Sequence, residues 1–148
     1  MPDFRTLQAI GLLFRSVNVS FRTAMDQALR EAGVGVSFGE ISPMVVLKAR
    51  PGINGAQLAR ESMVSAQAMN AMLRRLAAKK YVERRPHPDS LRADSWYLTE
   101  KGARLLERSR DVFEAVTARM LEGLSDRDVR KLESYLRSCV ASLGSNGE

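Results

Sequence analysis

The sequence has little of what most chemistry is built from. Its 148 residues include one cysteine, Cys139, and one histidine, His87. A lone cysteine cannot close an internal disulfide, and this pair cannot supply the ligand set of a structural zinc. No nucleophile is paired with a base and there is no glycine-rich phosphate loop, which argues against an enzyme and against any cofactor or metal. No run of about 18 apolar residues is present to span a membrane. The first residues, MPDFRTLQAI, carry an acid and lack the apolar core of a secretory signal, so the expectation is a cytoplasmic protein. Hydrophobic residues make up 45% of the chain, enough for the core of one compact domain or of two small interlocked ones.

Positive charge is abundant and unevenly placed. The net charge is +6, yet Lys48 to Arg92 alone holds ten basic residues against three acids, +7, while the other 13 basic and 14 acidic residues leave −1. A run of charge is often only a solvated face. Collecting the whole excess in under a third of the chain points instead to a polyanionic partner. Nucleic acid suits it better than a membrane surface, because no basic amphipathic helix carries a wide aromatic face.

Periodicity divides the chain into helices with recognisable ends. Leu7, Ile10, Phe14, Val17, Phe21, Met25 and Leu29 repeat at spacings of three and four, which predicts a long helix from Phe4 to about Glu31 with one narrow apolar stripe. Such a stripe suits packing against other long helices, including those of a second chain. Gly33 and Gly35 end it. Ser37 with Glu40 forms a capping box for a second helix, inside which Pro43 is either tolerated or a kink. After the break at Pro51-Gly52, Asn54 with Gln57 starts a short third helix with Leu58 and Ala59 inward. Ser62-Met63-Val64 is a turn, and Ser65 caps a fourth helix whose core face is Met69, Met72, Leu73 and Leu76. Two capped helices about four residues apart form a helix-turn-helix.

The fourth helix should end near Lys79-Lys80, where cations favour its dipole. Val82–Arg85 and Asp94–Leu98 read as short strands, with Pro86, His87, Pro88, Asp89 and Ser90 as a stiff exposed loop between them. That completes a winged helix. Thr99 caps a further helix through Leu105, Leu106, Val112, Phe113, Val116 and Met120. Ser125, with Asp128, caps the last, whose stripe is Val129, Leu132, Leu136, Val140 and Leu143. Cys139 beside that stripe reads as a small buried hydrophobe, and the tail SNGE as frayed. The expected class is mainly α with a small β-hairpin wing, residues 35–99 forming the winged helix-turn-helix and 1–34 with 100–148 the long helices that flank it.

With its core face inward, the fourth helix turns Gln67, Asn70, Ala71 and Arg74 outward. A merely solvated face usually pairs Glu with Lys. Here glutamine and asparagine can pair bidentately with adenine, arginine with guanine, and alanine permits close approach in a major groove of double-stranded DNA. Ser65 at the helix N-terminus can meet a phosphate. Arg92 suits a minor groove. Arg84 and Arg85 alternate across a strand, so one of them, Arg84, is available to phosphate. Arg75 lies nearer the core and reads as a structural ion-pair partner. His87, between two prolines, reads as neither a switch nor a ligand.

In its order of elements the chain resembles the MarR family of winged-helix transcription regulators over nearly its whole length. The resemblance rests on LAR at Leu58–Arg60, LRRLAAKKYVERR at Leu73–Arg85, LTEKG at Leu98–Gly102 and the LS at Leu124-Ser125. It implies a homodimer interlocked through the first and the last two helices, with a short C-terminal helix, acting as a ligand-responsive repressor at a palindromic promoter site. It also implies a crevice for a small phenolic or aromatic ligand, for which Phe14, Phe21, Met25, Met44 and Phe113 are candidates. The family's peroxide sensors carry a reactive cysteine in the first helix, and this chain has none there. Two positions depart from the pattern. Ser90 stands where the family has an aspartate bracing the wing, which predicts a wing mobile without DNA, and Lys80 stands where it has glycine. The alternative is a winged helix serving as a protein-interaction module without specific DNA binding.

Overall fold

The computed structural model describes residues 1–87 and 89–144, with only the backbone of 87 and 90–93. Two compact units are defined, Met1–Val116 and Thr117–Glu148. The element order is α1 (Phe4–Glu31), α2 (Phe38–Ala49), β1 (Ile53–Asn54), α3 (Gly55–Glu61), α4 (Ala66–Ala78), β2 (Val82–His87), β3 (Ser90–Leu98), α5 (Glu100–Met120) and α6 (Asp126–Gly144).

The helix starts follow the cap chemistry. Asn54 Oδ1 accepts from the Gln57 N–H at 2.9 Å, and Ser65 Oγ from the Ala68 N–H at 3.1 Å. The Ser37 N–H donates to Glu40 Oε2 at 3.0 Å, closing the capping box of α2. Each such cap satisfies a donor left over at a helix N-terminus. Pro43 is buried within α2, which continues to Ala49. The ends of α1, α3 and α4 share one geometry. Gly33, Met63 and Lys80 adopt positive φ, and the N–H groups of Val34, Val64 and Tyr81 reach back five residues to donate to the carbonyls of Leu29, Ala59 and Leu76. Lys80 therefore does adopt the left-handed conformation that glycine takes without strain, with φ 62°.

The core of the first unit joins Met25 and Leu29 of α1, Met44 and Leu47 of α2, Leu58, and Met69, Met72, Leu73 and Leu76 of α4 with Leu105 and Leu106 of α5. Gly102 shows how tightly α5 begins against the turn after α4. A Cβ there would lie 2.2 Å from the Tyr81 carbonyl oxygen. Thr99 completes this corner: its Oγ1 donates to the Lys80 carbonyl at 2.7 Å and accepts from the Gly102 N–H at 3.0 Å. The LTEKG segment is thus a packed joint.

Several expectations need correction. The hairpin loop is shorter than Pro86–Ser90, because β2 extends through His87 and β3 starts at Ser90. Pro86 is accommodated because β2 is an edge strand in the order β1-β3-β2, and the register shifts between Pro86 and His87. The strand β1 was not anticipated; its two residues pair with Trp96 and Ser95 of β3, a contact that no local pattern announces. The last helix is 19 residues long rather than short, and none of its residues is buried. Cys139, lying on it, is accordingly exposed in this chain. The apolar surface of α1 is wider than one stripe, since Leu12, Leu13 and Val19 are exposed beside Leu7, Ile10, Phe14 and Val17. Pro88 and the tail Ser145–Glu148 lie outside the described residues.

Candidate nucleic-acid interface

α4 is anchored by its four core side chains, so its opposite side faces outward. There Gln67, Asn70 and Arg74 line one concavity of about 1120 Å³ together with Asn54, Gly55, Ala56, Ala77, Arg84, Asp94 and Trp96. One strand of the wing, the start of α3 and the outer face of α4 thus converge. Gln67, Asn70 and Arg74 are exposed, and Ala71 is half-buried beside them. Arg74 has no ion-pair partner among the described residues. Ser65 spends its side chain on the cap, leaving the first N–H groups of α4 at the exposed rim.

The two wing arginines divide as strand alternation requires. Arg84 lines the concavity and pairs with Asp94 Oδ2 at 3.2 Å. Arg85 sits 4.3 Å from the centre of the Tyr97 ring and pairs with Glu83. Asp94 and Trp96 were missed as site residues. The signal available was alternation along β3, which puts 94 and 96 on the face of Arg84, since Arg84 is directly opposite Trp96. The side chains of His87, Ser90 and Arg92 lie outside the described residues.

Arg75 is on the other side of α4. Its Nε donates to Glu40 Oε1 at 2.8 Å, an ion pair with a carboxylate that is almost wholly buried. Burial by itself would raise the Glu40 carboxyl. The hydrogen bonds from Arg75 and from the Ser37 N–H, with the charges of Lys79 and Arg75, outweigh burial and hold it below the ordinary carboxylate value.

A second concavity, of about 570 Å³, opens beside α2 and α5 and is walled mainly by Met25, Phe38, Ile41, Val45, Val46, Leu106 and Phe113. Two of the five ligand candidates, Met25 and Phe113, line it. Phe21 supports its aromatic wall, with ring centroids 5.5 Å from Phe38 and 6.0 Å from Phe113, both edge-on. Met44 is fully buried in the core and Phe14 lies exposed further along α1, so neither is among the lining residues. At the rim Lys48 Nζ pairs with Glu107 Oε1 at 2.7 Å, and Arg110 stands nearby. Among the described residues no cluster of His, Cys, Asp and Glu is placed to hold a metal, and no helix is long and apolar enough to cross a membrane.

Two capped helices with a hairpin packed beside the second define a winged helix-turn-helix protein. A model of the MarR family matches residues 35–93. The chain is also similar to the HTH-type transcriptional repressor Rv2887 of Mycobacterium tuberculosis, at 32% identity over 127 residues, 86% of this chain and 90% of that one. The solved complex of Rv2887 with DNA superposes with a TM-score of 0.73 at 31% identity, covering 87% of this chain and 95% of that one. Its complex with salicylic acid gives 0.70 at 31% identity, covering 87% and 94%. The chain belongs to the MarR family, a family of transcriptional regulators rather than enzymes.

Proposed function

We propose that this protein is a homodimeric, sequence-specific transcription regulator of the cytoplasm, a repressor that covers a palindromic promoter site and releases it on binding a small aromatic or phenolic acid. One observation carries the reading: the exposed face of α4 presents Gln67, Asn70 and Arg74 into a concavity that the wing residue Arg84 completes. The family membership and the DNA complex of a 31% identical relative support it. Residues 35–99 read DNA, while 1–34 and 100–148 dimerise. Gln67, Asn70 and Arg74 contact base edges, with Ala71 leaving room for close approach. Ser65 and Arg84 meet phosphate, and Arg92 enters the minor groove.

The ligand site is the crevice beside α2 and α5, using Met25 and Phe113 with Phe21 behind them; the salicylic acid complex of the same relative supports that choice. An aromatic ring fits its apolar wall, and Lys48 and Arg110 offer cations to a carboxylate. A ligand held there shifts the spacing of the two reading helices away from that of two successive major grooves.

Anisotropy titration of promoter DNA tests the reading. Binding through six or more phosphates should weaken about a thousandfold between 50 and 200 mM salt, and added salicylate should release the DNA. Salt-independent binding would identify a protein-interaction module instead. Release that fails with salicylate would remove the ligand part alone.

A further inference from the structure

Two cations of the basic segment turn instead toward α2. Arg75 on α4 and Lys79 at its C-cap, one turn apart, both donate to the stretch around the start of α2. Arg75 Nε reaches Glu40 Oε1 at 2.8 Å, and Lys79 Nζ reaches the Gly35 carbonyl at 2.7 Å. Glu40 is 5% exposed, and its second oxygen accepts the Ser37 N–H at 3.0 Å, so the carboxylate is held at both ends. A charged group so enclosed is directional in a way the rest of the contact is not. Met69, Met72, Leu73 and Leu76 bind α4 through apolar burial, which has no preferred angle. The ion pair has one.

We infer that Glu40 is a positioning residue for sequence recognition: through Arg75 it fixes the rotation of α4 about its own axis, and hence the aim of Gln67, Asn70 and Arg74. Arg74 is next to Arg75 in the chain, so any turn of the helix that strains the pair re-aims the reader. On a helix of roughly 5–6 Å outer radius, a rotation of about 20° moves a side-chain tip by about 2 Å, which breaks a bidentate contact with a base. Contacts to phosphate tolerate such a shift far better, because they ask only for positive charge nearby. Loss of the pair therefore lowers specific binding more than non-specific binding. The inference rests on α4 being the reading helix.

The sign of the charge change makes the test sharp. Glu40→Gln removes one negative charge, so electrostatics alone tightens binding to every DNA. The positioning role weakens binding to the preferred site. Affinities for a selected site and for a scrambled duplex of equal length are measured in one buffer for the wild type, Glu40→Gln, Arg75→Gln and the double variant. The ratio of the two affinities should fall about tenfold in each single variant, with scrambled-duplex binding by Glu40→Gln unchanged or tighter, and the double variant should lose no more than the larger single loss. A purely structural role lowers both affinities together through the unfolded fraction and leaves the ratio alone, which overturns the inference. So does Arg75→Gln weakening both duplexes equally while the salt slope drops by about one, the signature of a phosphate contact. Should Glu40→Gln fail to fold, Arg75→Gln, altering a half-exposed side chain, decides alone. A wild type that does not discriminate the two duplexes overturns the DNA reading itself, a failure distinct from discrimination that survives both substitutions.

Discussion

α4 and α6 are both amphipathic helices, yet they stand at opposite extremes of burial. α4, with 13 residues, buries Met69, Met72, Leu73 and Leu76 within its own chain. α6, with 19 residues and an apolar stripe of comparable length, buries none, and Leu136, Val140 and Leu143 are exposed. α1 contains both conditions in one helix. Its last turns bury Met25 and Leu29, while Leu7, Ile10, Phe14 and Val17 remain exposed. Amphipathicity alone therefore does not say where a stripe is satisfied. α4, the proposed reading helix, is held by its own chain, as aiming three polar side chains at DNA would require. The exposed stripes of α1 and α6 are the surface expected of protomers that complete their cores in a second copy.

Substitutions can break this contrast. Leu136→Asp places a charge in the proposed dimer surface twice, once per copy; at about 2 kcal/mol or more each it should weaken association roughly a thousandfold, read as dissociation by analytical ultracentrifugation. An unchanged association constant would remove α6 from the interface. Leu73→Ala strikes the internal stripe instead and should cost about 3 kcal/mol of folding stability, measured by denaturant unfolding, with the dimer constant of the folded protein unchanged. Arg74→Ala touches neither stripe. It should lose about 1–3 kcal/mol of specific affinity with the unfolding midpoint unmoved, read by gel-shift titration.

Smaller effects sharpen the account of how α4 is held. The Glu40 carboxyl is depressed in the folded chain by the guanidinium of Arg75, the Ser37 N–H and the charge of Lys79, overcoming its burial. Its contribution to stability is therefore complete above the ordinary carboxylate value of about 4.3 and is lost as pH falls through that value and the lower folded one. Unfolding followed from pH 6 to pH 3 should show that part of the acid slope in the wild type and not in Glu40→Gln. Lys80→Gly relieves a left-handed backbone at the end of α4 and should stabilise by about 0.5–1 kcal/mol, visible as a raised thermal midpoint; a lowered midpoint would show that the lysine side chain matters more than its backbone strain.

Much of this was legible in local chemistry. Asn54, Ser65, Thr99 and Ser125 each stand one residue ahead of a helix, because the orphan N–H groups there demand a side-chain acceptor, and Ser37 ahead of α2 donates its own N–H to the Glu40 side chain. The four core residues of α4 follow from spacing alone, and with them the outward set Gln67, Asn70 and Arg74. What escaped was long-range or conditional. β1 is two residues whose existence depends on Trp96 and Ser95, more than forty positions away. Pro86 looked like a loop residue because its tolerance depends on β2 being an edge, a fact about the whole sheet. The stripe beside Cys139 predicts a buried side chain, but that stripe faces outward in this chain and the thiol is exposed. Asp94, an acid inside the basic concavity, makes sense only once it is seen beside Arg84.

Selection of bound fragments from random DNA decides whether α4 reads sequence in a dimer. Enrichment of a two-fold symmetric site of about 16–20 base pairs is expected, its half-sites about one helical turn apart. Selection that enriches no sequence, with the folded protein present as a dimer, would contradict that role for α4.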